Sequence, residues 1–221
     1  MNFSSGTLFK IPLPFDFGFA YCRLDNYTNV STYDGVVISV FDFFGEIDNK
    51  EPGFFENTPF FMNAIPIVKM PTLKGKYAWQ KLGELSPGSF VLPAFKIPEI
   101  NGFAWSNLSD YQDVKWFARV NLKEDVGPIN FNQVRHLEEL FIRSTVTIEQ
   151  RIAMTILRHQ KIDIEGFFNK HMMETYWKTD FKTQKFIPLY KNLPEEIRGR
   201  PLIRGFVPEK YLDFDWNNVL D

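Results

Sequence analysis

The sequence predicts an α+β fold, in which a β-rich N-terminal half, antiparallel and barrel-like or strongly bent, precedes a mainly helical C-terminal part. Residues 1–105 hold 9 of the 13 glycines and 9 of the 14 prolines, a distribution typical of short strands joined by turns. Beyond Gly127-Pro128 the apolar residues recur with a helical period instead. We therefore expect a β-rich domain over residues 1–125 and a helical extension with an irregular tail over 126–221, either separate or packed into one domain.

Six apolar segments bounded by glycine, proline or polar residues predict the strands, in the order 7–11, 19–24, 36–44, 76–82, 90–92 and 114–122. The segment 36–44 is rich in β-branched and aromatic residues, which suit a mostly buried pleated surface. The segment 114–122 alternates strictly, and one face carries Val114, Trp116, Ala118, Val120 and Leu122. This last strand is also compatible with the first sheet.

Three helices are expected after residue 130. The first spans 131–143, where apolar residues recur at helical spacing. The second opens at the capping-box pattern of residues 147–150, and its apolar face carries Ile148, Ile152 and Ile156. The third runs from about residue 163 to 176, and a short helical turn is expected at 194–199.

Charge and composition exclude several function classes. Twenty-five basic residues against 27 acidic ones give a net charge of -2, and hydrophobic residues make up 44% of the chain. Nucleic-acid binding usually leaves a basic footprint, which is missing, so we expect no nucleic-acid partner. The first residues show no basic region followed by an apolar run, and no window approaches the roughly 20 apolar residues of a membrane span. We therefore expect a cytoplasmic protein with no membrane partner.

Known catalytic motifs are missing from the sequence. It contains no glycine-rich phosphate loop, no dinucleotide fingerprint, no Gly-x-Ser-x-Gly and no His-Glu-x-x-His. Its one cysteine, Cys22, rules out an intrachain disulfide and is interpreted as a small buried hydrophobe. The three histidines, His136, His159 and His171, are expected at exposed or capping positions rather than in a metal site. We assign no catalytic residue, cofactor or metal.

The tryptophans Trp79, Trp105, Trp116 and Trp177 have two interpretations. Aromatic residues beside basic ones can stack on single-stranded nucleic acid. However, residues 106–221 hold 17 basic and 17 acidic residues, so no electrostatic funnel accompanies them. We therefore expect the tryptophans to pack in the core.

One local charge imbalance provides a candidate binding site. Fifteen residues contain five acidic side chains opposed by one lysine, Lys50, and the acids are Asp42, Glu46, Asp48, Glu51 and Glu56. Gly45, Pro52 and Gly53 predict a loop here, with Phe54 and Phe55 among the aromatic residues around it. The segment is either a solvated hairpin loop above core aromatics or an acidic patch that docks a basic partner through aromatic anchors. Under the second interpretation, all seven named acidic and Phe residues contact the partner.

The first half of the chain resembles a known family through four segments. They are residues 6–13 (Gly-Thr-Leu-Phe-Lys-Ile-Pro-Leu), 18–24 (Gly-Phe-Ala-Tyr-Cys-Arg-Leu), the apolar strand 36–44, and 75–83 (Gly-Lys-Tyr-Ala-Trp-Gln-Lys-Leu-Gly). Through them, residues 5–105 resemble the Immunity protein 26 family of bacterial polymorphic toxin systems. The family pattern has a late Gly-x-Trp-x-x-x-Gly-like strand, and here Tyr77 and Trp79 stand where one Trp is usual.

The resemblance implies that the β-rich domain is of the immunity type, with a cognate protein toxin as its partner. Members of the family neutralise the toxin by binding it, which implies a protein that is not an enzyme. The resemblance carries over no toxin-contact residue and leaves residues 106–221 outside its range.

Two other functions stay open. The first is a small-molecule enzyme with a pocket between the β-rich and helical parts, using Asp16, Arg23 or His136. The second is a structural or regulatory module in which helices within residues 131–176 pair two copies of the chain. The oligomeric state is not predicted.

Overall fold

The computed structural model describes residues 3–28, 35–45, 51–67, 71, 73–74, 78–86, 93–99, 114–140, 145–164, 166–167, 189–198 and 207–214. The strands are β1 (Thr7–Pro12), β2 (Phe19–Asn26), β3 (Val36–Gly45), β4 (Phe60–Ile67), β5 (Gln80–Glu84), β6 (Phe95–Pro98), β7 (Trp116–Val120) and β8 (Glu124–Ile129). The α-helices are α1 (Phe131–Val134), α2 (Thr145–His159) and α3 (Glu195–Arg198). Short 3-10 helices span Pro14–Asp16, Pro52–Asn57, Tyr190–Asn192 and Glu209–Tyr211.

The strands form two antiparallel sheets. The first has five strands in the order β4-β3-β2-β1-β5, and the second has three in the order β6-β7-β8. β4 and β5 stay at opposite edges of the first sheet, so the described strands do not close into a barrel. The β-rich first half and the antiparallel pairing are therefore confirmed, and the barrel-like alternative is wrong.

Helix α2 covers one face of the first sheet. Cross-strand partners share a face of a sheet, and here Phe9 is opposite Cys22, which is opposite Val40. These three side chains form one apolar cluster with Ile148 and Ile152 of α2, and all five are fully buried. The sheet and α2 therefore share one hydrophobic core, whichever domain boundary is drawn.

The second sheet follows the alternation of its sequence. Trp116, Ala118 and Val120 are buried on one face of β7, as the period of two predicts. Leu122 instead lies beyond the strand in a turn with φ 58° and packs with Phe95. The turn leads into β8, so a domain boundary after residue 125 falls inside that strand.

The helices differ from the prediction for tertiary reasons. α1 ends at Val134 instead of residue 143, because the following backbone pairs with β6. Lys96 N donates to Glu138 O at 2.8 Å, and Leu140 N donates to Lys96 O at 3.1 Å. α2 begins at Thr145, two residues before the expected capping box, so that interpretation is wrong.

The remaining elements are partly within the described residues. The short turn at 194–199 is confirmed as α3. Of the third predicted helix, residues 164, 166 and 167 are helical and Asp163 is described but not helical. The rest lies outside the described part of the chain, as does the predicted strand 90–92. The mainly helical C-terminal part is thus supported chiefly by α2.

Candidate functional site

The face of the first sheet turned away from α2 carries a second cluster, built on aromatic rings. Leu8, Tyr21, Phe41, Phe55 and Leu85 are its buried members. Strand alternation places these side chains of β1, β2 and β3 opposite those that contact α2. The 3-10 helix Pro52–Asn57 lies over this face, and Phe55 connects it to the sheet.

The two neighbouring phenylalanines of the 3-10 helix have opposite environments. Phe55 is 1% exposed, and its ring centroid lies 4.8 Å from that of Tyr21 and 4.9 Å from that of Phe41. Phe54 is 43% exposed and meets the rings of Phe43 and Phe55 edge-on, at 5.1 Å from each. Phe55 therefore belongs to the core, while Phe54 presents an apolar surface to solvent on a packed base.

The acidic residues predicted with them do not form one loop. Asp42 lies inside β3, where its backbone N donates to Pro59 O at 2.7 Å. Its carboxylate pairs with Lys191 at 3.3 Å, which joins the first sheet to the C-terminal segment. A carboxylate engaged in this tertiary contact is a poor partner-binding group. The loop prediction for residues 42–56 is wrong at Gly45, which ends β3, and at residues 52–56, which lie in the 3-10 helix, whereas Asp42 lies in β3 in agreement with the predicted strand 36–44.

The other predicted acids remain as surface groups or lie outside the structure. Glu51 is exposed at the N-terminal cap of the 3-10 helix, and Glu56 is exposed within the helix. In sequence, one precedes and the other follows Phe54. Glu46 and Asp48 lie outside the described residues. Glu51, Phe54 and Glu56 are thus exposed within one six-residue segment, which we call the Phe54 patch.

A second candidate, a buried cluster of charges, lies where the two sheets and α2 meet. Lys96 of β6 and Arg151 of α2 are both 0% exposed, and Glu138 and Glu139 are 7% and 6% exposed. Arg151 Nη2 donates to Glu138 Oε1 at 2.7 Å, and Lys96 Nζ donates to Arg135 O at 3.2 Å. These four buried residues and the half-buried Arg135, together called the buried ion cluster, come from three separate parts of the sequence.

Burial dominates the electrostatics of Lys96. Desolvation lowers the pKa of its ammonium to about 8, although Glu139 and Glu138 favour the charged form. Trp116 and Phe131 place their ring centroids 5.9 Å and 5.5 Å from Nζ. Lys96 is fully enclosed by these groups, so its altered pKa does not make it an accessible reactive amine.

A cavity of about 40 Å³ adjoins the buried ion cluster. Its polar lining includes Asn63 of β4, His136, Glu138 and Arg151, and its apolar lining comes mainly from β4 and residues 189–197. The volume is enough for one or a few water-sized groups, because a single water requires about 10–15 Å³. Tyr190 also lines it, but its hydroxyl donates to Arg198 O at 2.6 Å.

Sequence reasoning missed the buried ion cluster and, among the polar residues that line the cavity, considered only His136. His136 was expected on a helical surface, but it follows α1 in a turn and borders the cavity. The local sequence held little signal for the cluster, because four of the ten residues 148–157 of α2 are polar, namely Glu149, Gln150, Arg151 and Thr155. In the structure, residues 148–157 are buried or half-buried, so Arg151 lies inside and pairs with Glu138.

The other candidates for chemistry do not converge. Asp16 is an exposed residue of the first 3-10 helix, and Arg23 pairs with Asp25 on β2 at 3.0 Å. Neither of them lines the cavity that His136 borders. No group of three potential metal-ligating residues occurs among the described residues.

Several single-residue expectations are confirmed. Cys22 is fully buried, and burial raises the pKa of its thiol. Trp79 and Trp116 are 2% and 1% exposed, as expected of core residues, and Trp79 Nε1 donates to Glu149 Oε1 at 2.7 Å. His159 is exposed at the end of α2. Trp105, Trp177 and His171 lie outside the described residues.

Within the described residues, no helix is both long and apolar enough to cross a membrane. Comparisons with protein-family models, curated proteins and solved structures found no match for the chain.

Proposed function

We propose that the protein is an immunity-type binding protein that neutralises a cognate bacterial toxin by covering it. The observation that carries the proposal is the Phe54 patch, an exposed aromatic ring flanked by two acidic residues on a packed base. Aromatic side chains that bury fully on binding supply much of an interface's energy, and flanking charges select the partner. The partner that suits this patch is a toxin with a basic surface, such as a nuclease with a cationic substrate cleft.

The rigidity of the patch supports the proposal. Phe55 holds the 3-10 helix on the sheet, and Pro52 packs so closely on β5 that a Cβ on Gly83 would lie 2.9 Å from its Cγ. An anchor that is already positioned loses less conformational entropy on binding. A standard-size interface of about 1,600 Å² would extend from the patch over neighbouring surface.

The resembling segments also support the proposal, because they lie in one part of the fold. Residues 6–13, 18–24, 36–44 and the described end of 75–83 supply β1, β2, β3 and β5 of the first sheet. Gly6, which leads the first segment, has φ +89° and lies against Leu85 O, so no other residue fits there easily. These segments specify the scaffold that carries the Phe54 patch.

The direct test is co-expression of the protein with the toxin-like product of a neighbouring gene, scored as rescue of growth. Purified components then give the binding kinetics. We expect Phe54→Ala to raise Kd at least tenfold, which is about 1.4 kcal/mol, mainly through faster dissociation. We expect Glu51→Lys with Glu56→Lys to slow association about tenfold and to flatten its salt dependence.

A matched control carries the same charge change elsewhere. Glu124→Lys with Glu209→Lys reverses two exposed acids on β8 and on the last 3-10 helix. Rates altered equally by both double variants would indicate a general charge effect and would remove the Phe54 patch from the interface. No growth rescue by the wild-type protein would refute the immunity function itself.

A small-molecule enzyme is the second candidate, and the cavity beside the buried ion cluster is the observation that favours it. The cavity lies between β4 and Arg151 of α2, and the sequence predicts a pocket between the β-rich and helical parts. Two properties weigh against catalysis: the small volume and the mutual pairing of Arg151 with Glu138. Crystals can be soaked with a library of small organic compounds, and a compound found bound beside His136 would favour the enzyme over the binding protein.

A further inference from the structure

We infer that residues 189–198 and 207–214 form a strap that opens the cavity beside the buried ion cluster, and that the ion pair between Asp42 and Lys191 holds the strap closed. These two segments are called the C-terminal strap. The opening does not depend on the proposed immunity function. Three features support it: the strap is one packed unit, its attachments to the two sheets differ, and the cavity lies beneath it.

The two segments of the strap are held together by their own contacts. Leu193, Ile197 and Val207 form a buried apolar cluster that is separate from the core of the first sheet. Lys210 Nζ also lies 2.7 Å from Glu196 Oε2, which joins the second segment to the first. We therefore expect the strap to move as a unit.

On the side of the second sheet, the strap is attached to helix α1 by hydrogen bonds. Val207 N donates to Gln133 O at 3.1 Å, and Asn132 Nδ2 donates to Leu212 O at 3.2 Å. Both bonds belong to the second segment, so they can stay formed when residues 189–198 move. This end of the strap is the fixed end.

On the side of the first sheet, the strap is attached through side chains. Leu189 is buried in the core between the sheet and α2. Lys191 Nζ lies 3.3 Å and 3.4 Å from the two carboxylate oxygens of Asp42 on β3. The side chains of this pair are 29% and 26% exposed, so salt screens their attraction and the pair stabilises only modestly.

The cavity lies between this end of the strap and β4. Leu189, Leu193 and Ile197 line it from the strap, and Phe61 and Met62 line it from β4. A void of about 40 Å³ deprives the side chains on its walls of part of the contacts that a packed interface provides. Separating the strap from β4 therefore breaks fewer contacts than separating two closely packed surfaces, and the fold opens locally at this place.

The test measures thiol labelling by a maleimide in the full chain. Ala94 lines the cavity and is 3% exposed, so Ala94→Cys places a thiol on its wall. A maleimide is too large for a space of a few water-sized groups and reacts there only after the strap opens. Cys22, fully buried in the sheet core, reports global unfolding in the same sample. We expect the introduced thiol to react at least about tenfold faster than Cys22, each rate being taken relative to that in urea.

Substitutions of Lys191 test the ion pair. Lys191→Met should speed labelling of the introduced thiol about threefold, because the closed state loses the pair with Asp42. Lys191→Arg keeps the charge and should keep the original rate. Lys81→Met is the matched control, since Lys81 pairs with Glu84 at 2.8 Å on β5, and this pair stays formed when the strap opens. It should leave the introduced thiol unaffected.

A core substitution separates local opening from global unfolding. Ile11→Val shortens a buried side chain on β1, which β2 and β3 separate from β4. It should speed labelling of Cys22 about fivefold and leave the introduced thiol unchanged. If Ala94→Cys itself alters urea unfolding, Met62→Cys on the opposite wall of the cavity replaces it.

Each contrary result bears on one part of the inference. Equal labelling of the two thiols would show that only global unfolding reaches the cavity and would overturn the strap. Labelling of the introduced thiol as fast as in urea would show a cavity that is always open, with the same consequence. A rate that Lys191→Met leaves unchanged, or that Lys81→Met raises equally, would overturn the role of the ion pair.

Discussion

The ion pair between Arg151 and Glu138 gives the sharpest energetic prediction. Arg151 Nη2 lies 2.7 Å from Glu138 Oε1, and the two side chains are 0% and 7% exposed. Removing one partner of a buried pair leaves the other charge desolvated, which costs about 3–5 kcal/mol. That is a large share of the roughly 5–15 kcal/mol that stabilises a domain.

The charges in the buried ion cluster predict which partner of the pair costs more to remove, because three cations (Lys96, Arg135 and Arg151) lie with two carboxylates (Glu138 and Glu139). Arg151→Met leaves Lys96 and Arg135 against Glu138 and Glu139, a balanced set. Glu138→Leu leaves three positive charges against one negative charge. We therefore expect Arg151→Met near the lower end, about 3 kcal/mol, and Glu138→Leu near the upper end, about 5 kcal/mol. The double variant restores the original net charge and is expected within about 1 kcal/mol of wild type.

Urea unfolding, monitored by tryptophan fluorescence, measures the free energy of unfolding of all three variants, and the comparison requires that their m values equal that of the wild type. Arg119→Met is the control, since Arg119 Nη2 pairs with Asp125 Oδ2 at 2.8 Å on the surface and should cost less than about 1 kcal/mol. The reasoning would be refuted if Arg151→Met cost more than Glu138→Leu. Additive losses in the double variant would refute it as well, because independent sites show no coupling.

Three further substitutions follow from single contacts, each checked by urea unfolding. Glu149→Gln should raise the free energy of unfolding at pH 7 but not at pH 4. Burial raises the pKa of Glu149, so ionisation of this carboxyl destabilises the folded state as the pH rises above 4.5, whereas the amide stays neutral and still accepts from Trp79. Equal effects at both pH values would contradict this. Gln150→Met should leave the free energy of unfolding unchanged or raise it by about 1 kcal/mol, since the buried Oε1 accepts no hydrogen bond within the described structure. A large loss of stability would contradict this. Gly6→Ala should cost about 1–3 kcal/mol, because the new Cβ would lie 2.5 Å from Leu85 O at φ +89°, whereas Gly53→Ala, with open space, is the neutral control.

The sequence was most informative where a segment's own pattern determines its structure. The bounds of β1, β2 and β3 follow from their apolar runs, and the buried face of β7 follows from its alternation. β4 was not predicted, since Asn63 and Pro66 interrupt its apolar run and Ala64 adopts φ 55°. Its conformation is set by pairing with β3, which supplies the hydrogen bonds that the local sequence does not specify.

Sequence reasoning failed where distant segments meet. The apolar spacing of residues 131–143 is helical, yet pairing with β6 extends the backbone at Glu138 and Glu139. That pairing also places both carboxylates beside Lys96. In the sequence Lys96 stands between the apolar Phe95 and Ile97, a pattern that predicts an exposed lysine, but in β6 both Phe95 and Lys96 are buried. Likewise, the residues around Asp42 in the sequence offer no partner for its carboxylate, whereas in the fold it pairs with Lys191. Local patterns carry no information about such partners.

The candidate surface illustrates the same limit at the scale of one residue. Phe54 and Phe55 are adjacent and chemically identical, so the sequence assigned both to partner binding. The 3-10 helix turns one ring toward Tyr21 and Phe41 and the other to solvent, and their exposures of 1% and 43% separate the two roles. Truncating Phe55 removes core contacts and should therefore reduce stability, by about 3–5 kcal/mol. Truncating Phe54 removes a ring that is 43% exposed and leaves Phe55 in place, so a loss of binding without a matching loss in the free energy of unfolding reports on the interface rather than on the fold.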